Sequence, residues 1–359
     1  MSQKRVLVAP LDWGLGHATR CVPVIQILQE LQCEVFLAGA GPSLQLLTLT
    51  FPSLKAFELP GYSPVYPSSG SMMFKLLLQA GKFMRTVSDE HKQVEQLIKE
   101  NQIDLIISDN RYGCYSTVIP SVFIAHQLNL LASRAWQWLA VVANRVTSHF
   151  IRKFSRVWVP DFPGSLLSGK LSATTDKQIH FIGPLSRLTN VDHEELKYRV
   201  LVLLSGPEPQ RSIFEKLVTP QLAASGLSAL IIRGVVNGNK RRLSDNVEVV
   251  DYLQADELSV ALARAELILC RSGYSSIMDL ARLGKKAIFV PTPGQTEQEY
   301  LAKKFKQAGV AYSMKQKDFL LSVALKQSEN FTGLTEYLFD DSLLKKHLTD
   351  LLSTTDKRG

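Results

Sequence analysis

The sequence predicts an α/β protein of two Rossmann-like, doubly wound domains facing a cleft, and three observations carry that expectation. Continuous apolar runs alternate with helix-period patterns through both halves of the chain. The runs are apolar on both faces, as strands are when helices cover a parallel sheet on either side. Turns rich in glycine and serine follow strands in each half, and open α/β sheets gather their ligands at the carboxyl ends of strands. The length of 359 residues fits two domains at roughly 100–200 residues each.

In the first half, Arg5–Ala9 (RVLVA) reads as a strand. Thr19–Leu31 reads as a helix, with Val22, Ile25, Leu28 and Leu31 at three-residue steps. Glu34–Ala38, Asp104–Ser108 and Ser121–Ala125 are further strands, and Lys92–Glu100 is a polar helix. In the second half the strands are Arg199–Leu204, Ala229–Ile232, Val247–Val250, Leu267–Cys270 and Ala287–Val290. Helices are expected at Ser212–Ala224, Glu257–Ala265, Ser275–Leu283 and Glu297–Ala308. Gly183 and Pro184 end one strand, and a polar, charged stretch follows up to Tyr198. The expected organisation is therefore an N-terminal domain over 1–185, a linker over 186–198, a second domain over 199–335 and a helical tail over 336–359, which would pack back on the first domain.

The formal net charge is +8, and residues 1–190 hold most of it, with 18 basic against 12 acidic side chains. A basic surface attracts phosphates, anionic lipid or nucleic acid. No aromatic-basic nucleic-acid motif and no Cys/His finger accompanies it, so no nucleic-acid partner is expected. Cys21, Cys33, Cys114 and Cys270 lack CxxC spacing and paired histidines, which points to reduced, buried thiols with no metal site. No stretch reaches the roughly 18 consecutive apolar residues of a membrane span, and MSQKRVLVAP is not a signal peptide, so a cytoplasmic location is expected.

Four segments carry the candidate chemistry. The first, Asp12 to Arg20 (DWGLGHATR), follows the first strand. Gly14 and Gly16 allow a tight turn and close ligand approach, but Thr19 breaks the full GxGxxG pattern. His17, placed on this loop, is either a helix-capping histidine or a base or substrate contact. The second is Ser108-Asp109-Asn110-Arg111. Asp109, after its strand, either stabilises its own turn or orients His17 as a carboxylate does in a triad. The third, Cys270 to Leu280, puts Ser272, Gly273, Tyr274 and Ser275 at a helix N-terminus, a setting suited to a diphosphate, with Arg271 adding charge. Asp279, about one turn in, can accept from ribose hydroxyls. The fourth, Pro291 to Glu299, opens a helix with Glu297 and Gln298, side chains that suit sugar hydroxyls or simply favour the helix dipole.

The stretch CRSGYSSIMDLARLGKKAIFVPTPGQTEQEY resembles the donor-binding segment of GT-B glycosyltransferases, and among them the N-acetylglucosaminyltransferase family that forms lipid II in peptidoglycan synthesis. GLGHATRCVPV is similar to that family's glycine-rich loop ending in His, and IAHQLN at 124–129 to its HEQN segment. The resemblance implies a GT-B fold and a UDP-sugar donor. It implies that Asp279 holds the ribose, that Ser272, Gly273 and Tyr274 line the diphosphate, and that Glu297 and Gln298 meet the donor sugar. The backbone near Tyr252 and Leu253 would read uracil, and the Ser205-Gly206 loop would close over the phosphates. Gly14, Gly16, Arg111, His126 and Asn129 fall on the acceptor side. The sequence departs from the pattern at Leu15-Gly16, where that family has two glycines, at HQLN, and at Glu299 in place of a second Gln. The expected reaction is inverting, metal-independent transfer of N-acetylglucosamine or another hexose from a UDP-sugar to a hydroxyl of a lipid-linked or glycan acceptor, with no cofactor. A nucleotide-sugar hydrolase, a 2-epimerase or a non-catalytic nucleotide-sugar-binding protein would use the same donor site. Two basic-apolar stretches, Met72–Arg85 and the one from Trp136 to Arg156, can lie on an anionic membrane or pack as ordinary core helices.

Overall fold

Val6, Leu7, Val8 and Ala9 have no exposed surface. A run apolar on both faces can bury both only in the interior of a covered sheet. In the computed structural model, which describes residues 3–62, 80–131, 137–191, 195–235 and 240–355, that run is β1 (Arg5–Pro10). It lies inside a seven-stranded parallel sheet with β2 (Glu34–Gly39), β3 (Lys55–Glu58), β4 (Leu105–Asp109), β5 (Ser121–Ile124), β6 (Arg156–Val159) and β7 (Ile179–Phe181). The order is β3-β2-β1-β4-β5-β6-β7. Helices α1 (Leu15–Glu30), α2 (Gly41–Thr50), α3 (Ala80–Asn101) and α4 (Gln137–Ile151) belong to the same unit.

Helix α1 starts at Leu15, not at Thr19 as the apolar period placed it. Gly14, at φ 98°, makes the turn out of β1, and the helix begins at once. His17 therefore sits in the first turn of a helix and not on a loop. The edge strand β3 escaped the sequence reading because its residues KAFE are mostly exposed and carry no apolar run. The polar helix expected at Lys92–Glu100 is the end of the longer α3.

The second unit repeats the architecture. Its strands are β8 (Tyr198–Leu203), β9 (Ala229–Ile232), β10 (Lys240–Ser244), β11 (Val247–Val250), β12 (Ala265–Cys270), β13 (Ala287–Phe289) and β14 (Tyr312–Ser313). They lie in the order β10-β11-β9-β8-β12-β13-β14. All neighbours are parallel except β10, which returns against β11 as a hairpin through Asp245-Asn246. The helices are α5 (Gln210–Ser225), α6 (Ala255–Ala263), α7 (Tyr274–Arg282), α8 (Thr296–Gln307) and α9 (Leu321–Ser328). One core runs from Val200 and Val202 through Phe214, Ile231 and Leu269 to Ile288.

The winding of each sheet reverses at one place, between β1 and β4 in the first and between β8 and β12 in the second. These switch points are where the loops after neighbouring strands part and leave a crevice. Asp109 closes β4 and Cys270 closes β12, so the candidate segments gather at both crevices.

The two compact units are Met1–Leu185 with Asp340–Gly359, and Ser186–Phe339. The last helix, α10 (Ser342–Thr355), thus belongs to the unit where the chain began. Leu344, Leu348 and Leu351 form its buried stripe at helical spacing. Its Lys345 meets Glu30 of α1 at 2.8 Å, a pair exposed on both sides. Leu348→Ala should therefore destabilise the protein by about 3 kcal/mol, whereas Lys345→Ala should stay within about 0.5 kcal/mol. Urea unfolding of both variants measures the contrast; equal losses would show that the leucine stripe does not anchor the helix.

Candidate active site

In the first unit, four polar side chains meet at the β1–β4 switch point. His17 comes from the first turn of α1 and Arg20 from one turn further on. Asp109 ends β4, and His126 follows β5. His17 Nδ1 lies 3.1 Å from Asp109 Oδ1, so the two residues singled out in the sequence are in contact. Arg20 forks onto both oxygens of Asp109 through Nε and Nη2. It also reaches His17 Nδ1 at 2.8 Å and His126 Nδ1 at 2.9 Å. Arg20 is 2% exposed and Asp109 fully buried, whereas 15% of the His17 side chain remains open.

Burial alone would raise the pKa of Asp109, but the charges of Arg20 and His17 outweigh it and hold the carboxyl at about 2. Burial lowers His17 from its ordinary value and Arg20 lowers it further, against the opposing pull of Asp109. His17 is therefore a neutral imidazole at neutral pH, the form that can take a proton. Cys21, whose Sγ is 3.9 Å from Asp109 Oδ2, stays a thiol because burial, and then that carboxylate, push it well up.

The other acceptor-side expectations fare differently. Gly14 is exposed, with nothing within 4 Å of where a Cβ would stand, so the backbone there is open to a ligand. Gly16 lies inside the first helical turn, its carbonyl accepting from the Thr19 hydroxyl. Arg111 is turned inward, which corrects its reading as an acceptor-side cation. It is fully buried, paired with Glu90, and donates to the carbonyl of Pro60 at 2.6 Å. An uncompensated Glu90 would be costly in that setting, so Arg111 is committed to the fold. Asn129 uses its amide to hold the carbonyls of Lys170 and Ala173, at 3.1 and 3.0 Å.

In the second unit, β12 ends at Cys270 and α7 begins at Tyr274, with Gly273 as the extended residue between. No atom lies within 4 Å of a Cβ built on Gly273, so the helix N-terminus is approachable. Its leading N–H groups have no intrahelical acceptor and form an anion site in general terms. Ser272 is buried, and its hydroxyl donates to the carbonyl of Gln298 at 2.7 Å. That bond joins the two sequence segments of the expected donor site. Gln298 in turn accepts from the Thr292 N–H at 2.8 Å, which fixes the loop before α8. Glu297 opens α8 beside it, in the helix's first turn, and Ser275 follows Tyr274 in α7. Gly206, at φ 99°, leaves an open backbone after Ser205.

Arg271 requires a second correction. It is 1% exposed, and its guanidinium donates to the carbonyls of Val290 and Gln210 at 2.9 and 3.0 Å and to Gln316 at 2.6 Å. It also lies over the Phe214 ring at 4.2 Å. Burial pushes it down to about 10, still charged at neutral pH. Its place is to tie the β12 loop to the strands and helices behind it, not to face a diphosphate.

Asp279 sits one turn into α7. The hydroxyl of Ser186 donates to it at 2.5 Å. Arg187 follows, its guanidinium 3.3 Å from the hydroxyl of Tyr252. Burial raises Asp279 to about 6, with Ser186 and Arg187 pulling the other way. Leu253, beside Tyr252, is buried. Ser186 and Arg187 were read only as linker; no pattern in the sequence singles them out, because their relation to Asp279 and Tyr252 spans 93 and 65 positions. Arg20 did carry a signal, since it is three residues after His17 and so shares its helix face.

Residues 226–331 match the glycosyltransferase family 28 C-terminal domain. A UDP-N-acetylglucosamine–N-acetylmuramyl-(pentapeptide) pyrophosphoryl-undecaprenol N-acetylglucosamine transferase of Haemophilus influenzae is 24% identical, over 92% of this chain and 91% of its own. The chain is a GT-B glycosyltransferase. The transferase of the same name from Mannheimia succiniciproducens is 28% identical to it, over 85% of this chain and 83% of its own. In fold, the glycosyltransferase is similar to the glycotransferase of kitacinnamycin, with a TM-score of 0.69 at 17% identity, over 99% of this chain and all of that one.

The raised pKa of Asp279 gives a test in the glycosyltransferase itself. Its contribution to stability is present below the ordinary value of 3.8 and is lost as pH rises through about 6. Asp279→Asn removes that loss while its amide oxygen can still accept from Ser186. The melting temperature of the variant should therefore gain on wild type between pH 4 and pH 7. A difference that does not change with pH would contradict the buried, charge-disfavouring setting.

Proposed function

We propose that this glycosyltransferase moves N-acetylglucosamine or another hexose from a UDP-sugar to a hydroxyl of a lipid-linked or glycan acceptor, with inversion and without a metal ion. The observation that carries the reading is the contact of His17 with Asp109 at one switch point, in a chain matched nearly end to end by UDP-N-acetylglucosamine transferases. The second unit takes the donor. Asp279 accepts from the ribose, the backbone at Tyr252 and Leu253 meets the base, and the loops at Ser205–Gly206 and Ser272–Ser275 enclose the diphosphate. Glu297 and Gln298 face the sugar. Arg187 adds a cation near the nucleoside.

The first unit activates the acceptor. His17 takes the proton of the acceptor hydroxyl while Asp109 holds the ring. The acceptor oxygen attacks the anomeric carbon, the bond from that carbon to the diphosphate breaks, and UDP leaves with the electron pair. The first-turn N–H groups of α7 stabilise the charge growing on the diphosphate, the task a divalent cation performs elsewhere. His126 and the open backbone at Gly14 line the acceptor's approach.

A lipid-linked acceptor calls for contact with a membrane surface. Helix α4 exposes Trp138, Val141, Val142 and Val146, and Arg145, Arg152 and Lys153 lie on or just after it. Such a mixture lies in an anionic interface. Trp136 and residues 72–79 of the other basic-apolar stretch fall outside the described residues. Among the described residues, no helix is long and apolar enough to cross a membrane.

Calorimetry with UDP, dTDP, GDP and CMP tests the donor site. UDP should bind selectively, and Asp279→Ala should weaken it at least tenfold, about 1.4 kcal/mol. Absence of nucleotide binding would overturn the reading. With UDP-sugars and glycan or lipid acceptors, EDTA should leave transfer unchanged, and His17→Ala should lower kcat by roughly 10²–10⁴. Release of free sugar or an epimer without a glycoside would identify a nucleotide-sugar hydrolase or 2-epimerase instead. Co-sedimentation should be stronger with vesicles containing anionic lipid than with neutral ones, and should fall on Trp138→Ser with Val142→Ser; no dependence on lipid charge or on these residues would reject the membrane contact.

A further inference from the structure

The mechanism above uses His17 and Asp109 and gives Arg20 no part, yet Arg20 touches every polar member of that cluster. A guanidinium has five N–H donors and no acceptor. Two of its donors engage the oxygens of Asp109, one faces His17 Nδ1 at 2.8 Å and one faces His126 Nδ1 at 2.9 Å. A ring nitrogen that accepts from Arg20 must carry a lone pair. His17 Nδ1 stands between a donor, Arg20, and an acceptor, Asp109 Oδ1 at 3.1 Å. The neutral ring can answer either; the protonated ring would turn an N–H against the guanidinium. A proton on His17 would also place a second positive charge beside Arg20, with one carboxylate to balance both.

We infer that Arg20 is a positioning residue of the proton-accepting centre, clamping Asp109 and holding His17 as a neutral imidazole. The inference deepens the reading of His17 as the base and rests on it. The titratable and charged groups around His17 are Arg20 and Cys21 from α1, Asp109 from β4, and His126 after β5. Cys21 remains a neutral thiol, so the balance lies between Asp109, which favours the imidazolium, and Arg20 with burial, which oppose it. Asp109 orients the ring in this arrangement, and Arg20 prevents the same carboxylate from loading the ring with a proton before the acceptor arrives.

The test compares wild type with Arg20→Gln and Arg20→Lys in two measurements. In the first, the acid limb of kcat/KM for transfer should lie below pH 6.5 in wild type. Arg20→Gln leaves the charge of Asp109 unopposed. Its limb should rise by about one pH unit, so that the rate at pH 6 drops about tenfold relative to that at pH 8. In the second, ¹⁵N NMR of the His17 imidazole without substrate should show it protonating at higher pH in Arg20→Gln than in wild type. Arg20→Lys keeps the charge but not the fork, so His17 should stay near its wild-type titration while kcat falls as Asp109 loses its clamp; this variant carries the test if Arg20→Gln does not fold. A uniform loss of rate at every pH, with His17 in Arg20→Gln titrating as in wild type, would overturn the inference. An active His17→Ala enzyme would instead overturn the role of His17 as base, and the NMR titrations would still decide what Arg20 does.

Discussion

A carboxylate with no exposed surface needs an opposite charge and enough donors to replace its water. At Asp109 both come from one side chain, Arg20, which is itself buried and reaches the strand end from the second turn of α1. Much of the first unit is arranged around that requirement. Gly14 turns the chain so that α1 starts immediately, and the early start puts position 20 over the end of β4. The parallel pairing of β1 with β4 sets Pro10 against Asp109, so the helix leaving one strand and the carboxylate ending the other must meet. His17 then meets a charged pair that already exists for structural reasons.

The second unit treats its own carboxylate in the opposite way. Among the described residues Asp279 meets a serine hydroxyl and a more distant arginine and no guanidinium fork, and burial holds it near 6. A buried acceptor with so few partners is poorly matched to its surroundings, a cost that functional sites commonly carry. Arg271 shows the reverse case. It stands in the motif where a phosphate-binding cation is expected, yet its donors are used by carbonyls behind the loop. Any anion that the loop takes up would have to be met by its backbone.

The sheets were legible because their strands are continuous apolar runs: Ala229–Ile232 and Val247–Val250 stand where the sequence puts them. The exposed edge strand Lys55–Glu58 and the basic hairpin strand Lys240–Ser244 were not legible, since edges carry no two-sided apolar signal. In the site, the loops after β1, β4, β12 and β13 could be found from glycine, serine and acid placement alone. Which polar side chains face inward could not. Arg111 and Arg271 look like ligands in sequence because charge next to a motif is local information. The partners that bury them, Glu90, Phe214 and Gln316, are 21, 57 and 45 positions away. The meeting of Ser186 with Asp279 is hidden for the same reason.

The return of the last helix to the first unit has a bearing on how the molecule is made. The chain leaves that unit after Leu185 and re-enters it at Asp340, so the second unit is in effect an insertion held at both ends. During synthesis the first sheet can form early, but the surface that receives Leu344, Leu348 and Leu351 stays bare until residues 342–355 have left the ribosome. The second unit, contiguous in sequence, has every strand it needs well before that point. The half that starts first therefore closes after the half that starts second, and a ribosome that stops short of α10 leaves a nascent chain whose second unit is whole and whose first is not.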